Sequence, residues 1–124
     1  AARVRRGRLG AMIGSGPGRN VHSDGYVRSM VVTASPCVVR RATCVNKSAS
    51  AAWLWICDSA TLPENGTAPT RTPIPVAAGS VNGDDWFGQG SRFENGCVLA
   101  LSSTLATLTI IVADDAFFDS EIVA

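Results

Sequence analysis

Short apolar runs separated by turn-forming residues recur along the chain at intervals of roughly ten residues, a spacing that suits strands and not helices. The densest run lies at 51–59, Ala-Ala-Trp-Leu-Trp-Ile-Cys-Asp-Ser. It has no polar face at a 3.6 period, and its aromatic and β-branched residues fit a pleated, half-buried surface. Strand alternation places Trp53, Trp55 and Cys57 on one face and Leu54 and Ile56 on the other. Both faces are apolar, so this strand needs a cover on each side.

Other strands are expected around it. Residues 26–34 form a first strand, Pro36 breaks the run, and residues 37–46 form a second. Residues 46–50 read as a hairpin turn into the central strand. Residues 58–73 read as loop, with Pro63 and Asn65-Gly66 as punctuation. Residues 72–78 carry Pro73 and Pro75, which restricts them to an edge or a bulge. A turn-rich short strand follows at 79–88, then strands at 92–102, 107–113 and 116–123. The expectation is an all-β domain: an antiparallel β-sandwich, jelly-roll-like, of about eight strands.

The 124 residues suffice for one domain with a core, and 46% of them are hydrophobic, which excludes a disordered chain. No apolar run reaches the roughly 18 residues of a membrane span. Ala11-Met12-Ile13 is too short for the apolar part of a signal peptide. Residues 1–24 are instead read as an extended Arg/Gly-rich arm carrying Arg3, Arg5, Arg6, Arg8 and Arg19, with the folded domain at 25–124. Such a segment buries too little apolar surface to order itself.

Net charge is only +1, but its distribution is uneven. Residues 1–47 hold nine Lys/Arg and one acid; residues 48–124 hold two Arg and nine acids. A chain divided in this way can attract copies of itself. The arm has no aromatic residues for base stacking, so docking on an acidic protein surface is favoured over contact with nucleic acid.

Candidate chemistry is sparse. The one histidine, His22, stands two residues from Asp24, with no nucleophile motif elsewhere. Asp84-Asp85 and Asp114-Asp115 are acid pairs in turns; Asn82, Asp84 and Asp85 offer oxygens to a hard cation but lack the spacing of a calcium loop. Gly14-Ser-Gly-Pro-Gly18 lacks the ending of a phosphate loop. Asn46-Lys-Ser48 and Asn65-Gly-Thr67 match the glycosylation sequon. Cys37, Cys44, Cys57 and Cys97 have neither zinc-site spacing nor a histidine nearby; they are expected as buried thiols, with disulfides as the alternative. Trp53, Trp55 and Trp86 are read as core or partner contacts, with a sugar-stacking platform as the alternative. No enzyme activity, cofactor or metal is expected.

From about residue 42 onward the chain resembles a group of small β-rich structural proteins of tailed bacteriophages. The resemblance is carried by Cys44-Val-Asn-Lys-Ser-Ala-Ser, Leu54-Trp-Ile-Cys-Asp-Ser-Ala-Thr-Leu-Pro-Glu-Asn-Gly, Pro73-Ile-Pro-Val-Ala-Ala-Gly-Ser, Arg92-Phe-Glu-Asn-Gly-Cys-Val-Leu-Ala-Leu-Ser-Ser-Thr, Ala106-Thr-Leu-Thr and Ala113-Asp-Asp-Ala-Phe-Phe, in that order. It implies a non-enzymatic virion component, a head decoration, neck or tail protein, assembled in the host cytoplasm. Its implied partners are other virion proteins, such as a major capsid or tail/neck protein, and further copies of itself, most simply a trimer. It also aligns Leu54 and Ile56 with core-facing positions, which makes the Trp53–Trp55 face the expected interface. The Arg/Gly arm is not part of the resemblance, and Cys57 and Cys97 stand where such proteins look to carry larger apolar residues.

Overall fold

The computed structural model describes residues 17–86 and 89–123. Among them are nine strands: β1 Arg19–His22, β2 Ser29–Thr33, β3 Cys37–Asn46, β4 Ala52–Cys57, β5 Ile74–Val76, β6 Ser80–Asp85, β7 Ser91–Phe93, β8 Cys97–Ser102 and β9 Ala116–Val123. They form two antiparallel sheets. One has the order β1-β9-β3-β6, with β7 also paired to β3; the other has the order β2-β8-β4-β5. The all-β sandwich expected from the apolar pattern is the observed architecture.

Between the sheets, Cys44, Val39, Phe118 and Ile122 from the first meet Leu54, Ile56, Leu99 and Leu101 from the second. Strand alternation explains the selection. β9 alternates buried and half-buried along its whole length, with Ala116, Phe118, Ser120 and Ile122 inward. β8 is buried at every position, because both of its faces are covered.

Four details differ from the sequence expectation. Residues 19–22, expected as the end of the arm, are an edge strand: β1 pairs with β9 in the register Arg19↔Ile122 to His22↔Asp119, and Val21 packs on the core. One inward valine is enough to seat a four-residue strand whose partner is already fixed. The expected 92–102 strand is interrupted at Asn95-Gly96, where Gly96 adopts φ 141°. A Cβ at Gly96 would stand 2.6 Å from the Thr33 carbonyl, so the break admits only glycine. The Asp58 carboxylate accepts hydrogen bonds from the Glu94 and Asn95 amides across this turn. The expected 107–113 strand is loop, touching the sheet through one bridge between Ser102 and Ile110.

Last, residues 46–50 are not a hairpin. β3 and β4 lie in different sheets, so the segment is a corner between layers. Asn46 holds that corner. Its side chain is fully buried, and Nδ2 donates to the Ser50 carbonyl at 2.9 Å and the Val76 carbonyl at 3.2 Å. Oδ1 accepts from the Ser48 amide at 3.0 Å and the Ser48 hydroxyl at 2.7 Å. One amide thus ties the end of β3 to the corner and to β5. This burial also bars the Asn46 sequon from glycosylation in the folded protein.

Asn46→Ala should cost about 3 kcal/mol of stability, since it removes a buried amide and leaves buried carbonyls without their donor. A urea titration of wild type and variant measures this; a loss within 0.5 kcal/mol, as is usual for surface changes, would show that the corner holds without it.

Candidate functional site

The two sheets treat their outer faces differently. The outer face of the β2-β8-β4-β5 sheet is covered by the chain itself. Trp55, Cys57, Val98, Ala100 and Leu108 form a second buried cluster there, with Trp53 and Ile110 packed against it. Two loops supply the cover. The Gly66 amide donates to the Leu108 carbonyl and the Leu108 amide to the Thr67 carbonyl, which locks residues 58–73 to residues 103–115. The Ile110 amide donates to Asn65 Oδ1, and the Trp55 indole N–H donates to the Thr104 carbonyl at 3.3 Å.

The parity expected for β4 therefore matches the packing, but Trp55, 2% exposed, is not open to a partner. Trp53 is half-buried at the margin of this cluster. Trp86 follows β6 of the other sheet, where its amide donates to the Arg40 carbonyl and its ring packs on the main core. The three tryptophans do not meet, so they form no common stacking platform.

Among the described residues the remaining candidates gather no catalytic or metal-binding set, although Cys97 lies within electrostatic reach of Cys37 and Cys57. Cys37, Cys44, Cys57 and Cys97 are all free and buried. Burial raises the Cys44 thiol to about 12 and the Cys57 thiol to about 11, and it pushes Cys97 up further. Cys37 is raised by burial and then by the nearby Asp58 charge. Alternation along β6 sends Asp85 to the face opposite Asn82 and Asp84, and Asn82 spends its amide on the Pro75 carbonyl. Among the described residues no three His, Cys, Asp or Glu side chains gather as a metal site. Asp114 pairs with Arg28 at 3.2 Å. Arg19 lies exposed on β1; Arg3, Arg5, Arg6 and Arg8 lie outside the described residues.

Apart from Val38, which is buried near the start of β3, the outer face of the β1-β9-β3-β6 sheet stays half-buried or exposed among the described residues. Register places Val81, Val45 and Phe117 in one row across it, with Val81 61% exposed. Tyr26, 45% exposed, meets Phe117 edge-on, and the Lys47 ammonium sits 4.6 Å above the Tyr26 ring. Beside this row runs a charged one. Arg40 pairs with Glu121 at 3.3 Å and Arg41 with Asp119 at 3.1 Å. The register between β3 and β9 shifts at Val39/Arg41, and this bulge lets two successive arginines reach carboxylates on β9.

At the end of the face His22 stacks on Phe117, ring centroids 6.1 Å apart, over an open hollow of about 320 Å³. Ser23, Asp24, Gly25 and Asp119 complete its wall. The turn behind it is tightly held. The Ser23 amide donates to the Phe118 carbonyl at 2.9 Å, the Ser23 hydroxyl accepts from the Phe118 amide at 3.0 Å and donates to the Gly25 carbonyl at 2.8 Å, and Gly25 takes φ 77°. Sequence reasoning noted His22 and Asp24 but not the hollow, because Phe117 and Asp119 come from the other end of the chain. No family model, curated protein or solved structure matches the chain.

Two outcomes follow for the thiols. A small thiol reagent at neutral pH should leave native protein unmodified, whereas Leu108→Ala should open Cys57 and leave Cys44 protected, as mass mapping of the adducts will show. The second outcome concerns pH. The raised thiols contribute stability that is fully present below the unfolded value of 9.0 and is lost as pH rises through about 11 for Cys57 and about 12 for Cys44. Replacing both by Ala should therefore flatten the fall in urea midpoint on the alkaline side, measured from neutral pH upward; an unchanged slope would dismiss these thiols as the source.

Proposed function

We propose that this chain is a non-enzymatic structural protein of a bacteriophage particle, a capsid decoration or stabilising subunit that binds other virion proteins. Jelly-roll connectivity is part of the reading, and strand order is the observation that carries it. The first sheet takes strands one, nine, three and six, and the second takes two, eight, four and five. β6 and β7 lie along the same edge of β3, pairing with its residues 41–46 and 37–39, so together they occupy one strand position. This interleaving supports a reading as two Greek keys wrapped into one sandwich, an arrangement used by viral capsid domains and by lectins.

Fold analogy alone does not choose between those two uses. Two observations favour the particle. The aromatic residues that a glycan platform would need are not jointly open, since Trp86 packs at the other sheet and Trp55 lies under the loops beside a half-buried Trp53. The arm sequence runs directly into β1, an edge strand, so partner contacts on the arm would be transmitted to a sheet. Arg3, Arg5, Arg6 and Arg8 supply donors that pair with carboxylates on a protein partner. The open face with Phe117, Val45 and Val81 provides the second contact, in place of the Trp53–Trp55 face. Association of copies into a trimer around such contacts belongs to the same reading, as does residence in the virion after assembly in the host cytoplasm.

Removal of residues 1–16 should abolish incorporation into particles while leaving the far-ultraviolet circular dichroism of the sandwich intact. The cut stops there because a deletion through residue 20 would also remove half of β1. Incorporation at the full-length level would refute the arm as anchor. Loss of co-purifying nucleic acid, with protein contacts kept, would instead identify the arm as a nucleic-acid contact.

A further inference from the structure

The hollow beside His22 presents acceptors and ring faces. His22 Nδ1 donates to the Ser23 carbonyl at 2.9 Å, which leaves the ring's second nitrogen, Nε2, for a ligand. Asp24 makes no ion pair and no side-chain hydrogen bond among the described residues. Asp119 spends one carboxylate oxygen on Arg41, which leaves the other. Phe117 and His22 add apolar ring faces. A planar cation with several donors satisfies all of these together. A guanidinium stacks on aromatic faces and donates in a fork to carboxylates, which an ammonium does not do.

We propose that this hollow receives an arginine side chain from residues 3–8 of a second copy of this chain. The inference rests on the reading of the arm as a binding element and names what it binds. Chain length supports it: sixteen residues ahead of the described part reach up to about 55 Å when extended, beyond the span of a domain of this size. Direction supports a second copy over the same one. Residue 17 precedes the Arg19 end of β1 and the hollow lies past its His22 end, so the chain's own arm would have to double back along its own strand. The backbone around the site is fixed in advance by the Ser23–Phe118 and Ser23–Gly25 bonds, so little ordering is needed on the receiving side.

The full chain tests this, with Leu9 replaced by a photo-crosslinking benzoyl-phenylalanine and all arginines kept. Mixed isotopically light and heavy protein separates adducts between copies from adducts within one. The expected result is a crosslink between copies to residues 22–25 or 117–119. In sedimentation velocity, Asp24→Asn should weaken self-association about tenfold, the loss of one charge-assisted hydrogen bond, and Asp84→Asn should leave it unchanged. Crosslinks between copies that map elsewhere overturn the hollow as the site while the arm remains a binding element. Crosslinks confined to one copy overturn the second copy as the occupant. Particles that incorporate the chain normally while no crosslink between copies forms overturn self-docking and leave the proposed structural role standing.

Discussion

The fold depends on one constraint: the β2-β8-β4-β5 sheet is apolar on both faces. Leu54 and Ile56 close the main core, and Trp55, Cys57, Val98 and Ala100 need a second cover. The chain meets that need itself by laying residues 58–73 and 103–115 across the sheet and inserting Leu108. Burying a side chain of this kind contributes roughly 1.5–3 kcal/mol, and the bonds between Gly66, Thr67 and Leu108 add to what holds two long loops that form almost no regular structure. Arg71 fastens one of them again, stacking 3.9 Å over the Phe93 ring and donating to the Arg92 carbonyl.

That constraint also decides where function can reside. With one outer face occupied by loops, the open sheet surface is the one that carries Val81, Val45 and Phe117. It pairs an apolar row with a row of cross-strand ion pairs, the mixture expected where a surface must stay soluble alone and still lose water against a partner. Individually, half-exposed pairs such as Arg41–Asp119 contribute little stability. Their effect here is on position: they tie the Arg40 and Arg41 side chains to carboxylates on β9, one of which, Asp119, also lines the hollow.

Much of this was legible in the sequence, for identifiable reasons. β9 matches its expected bounds because its alternation is long and regular, and β3 because Pro36 bars the strand on one side and the turn residues after Asn46 end it on the other, although a bulge breaks its alternation. The two-faced character of β4 was legible from parity; what covers the second face was not, because Leu108 is distant in sequence and sits in a segment whose threonines and isoleucines favour strand. β1 was missed because Arg-Asn-Val-His has a single apolar residue, and its pairing is imposed by β9. The corner at Asn46 was mistaken for a hairpin because the same turn residues serve both, and only the choice of sheet for β4 separates them. The His22–Phe117 hollow joins residues 95 apart, which no local pattern discloses.

The divided charge takes on a different meaning once the sheets are known. Three basic residues of the first half are neutralised by acids of the second: Arg28 by Asp114, Arg40 by Glu121 and Arg41 by Asp119. The imbalance is therefore partly a consequence of topology, since β3 comes early, β9 comes late, and the two lie side by side. Among the described residues Asp24 is an acid that no ion pair neutralises, and the proposed contact sets against it the arginines at residues 3–8, which lie outside the described residues. Charge spent inside the domain cannot recruit a partner. Charge that stays unpaired can, and the proposed contact draws it from a segment that precedes the first edge strand and from a hollow at that strand's other end.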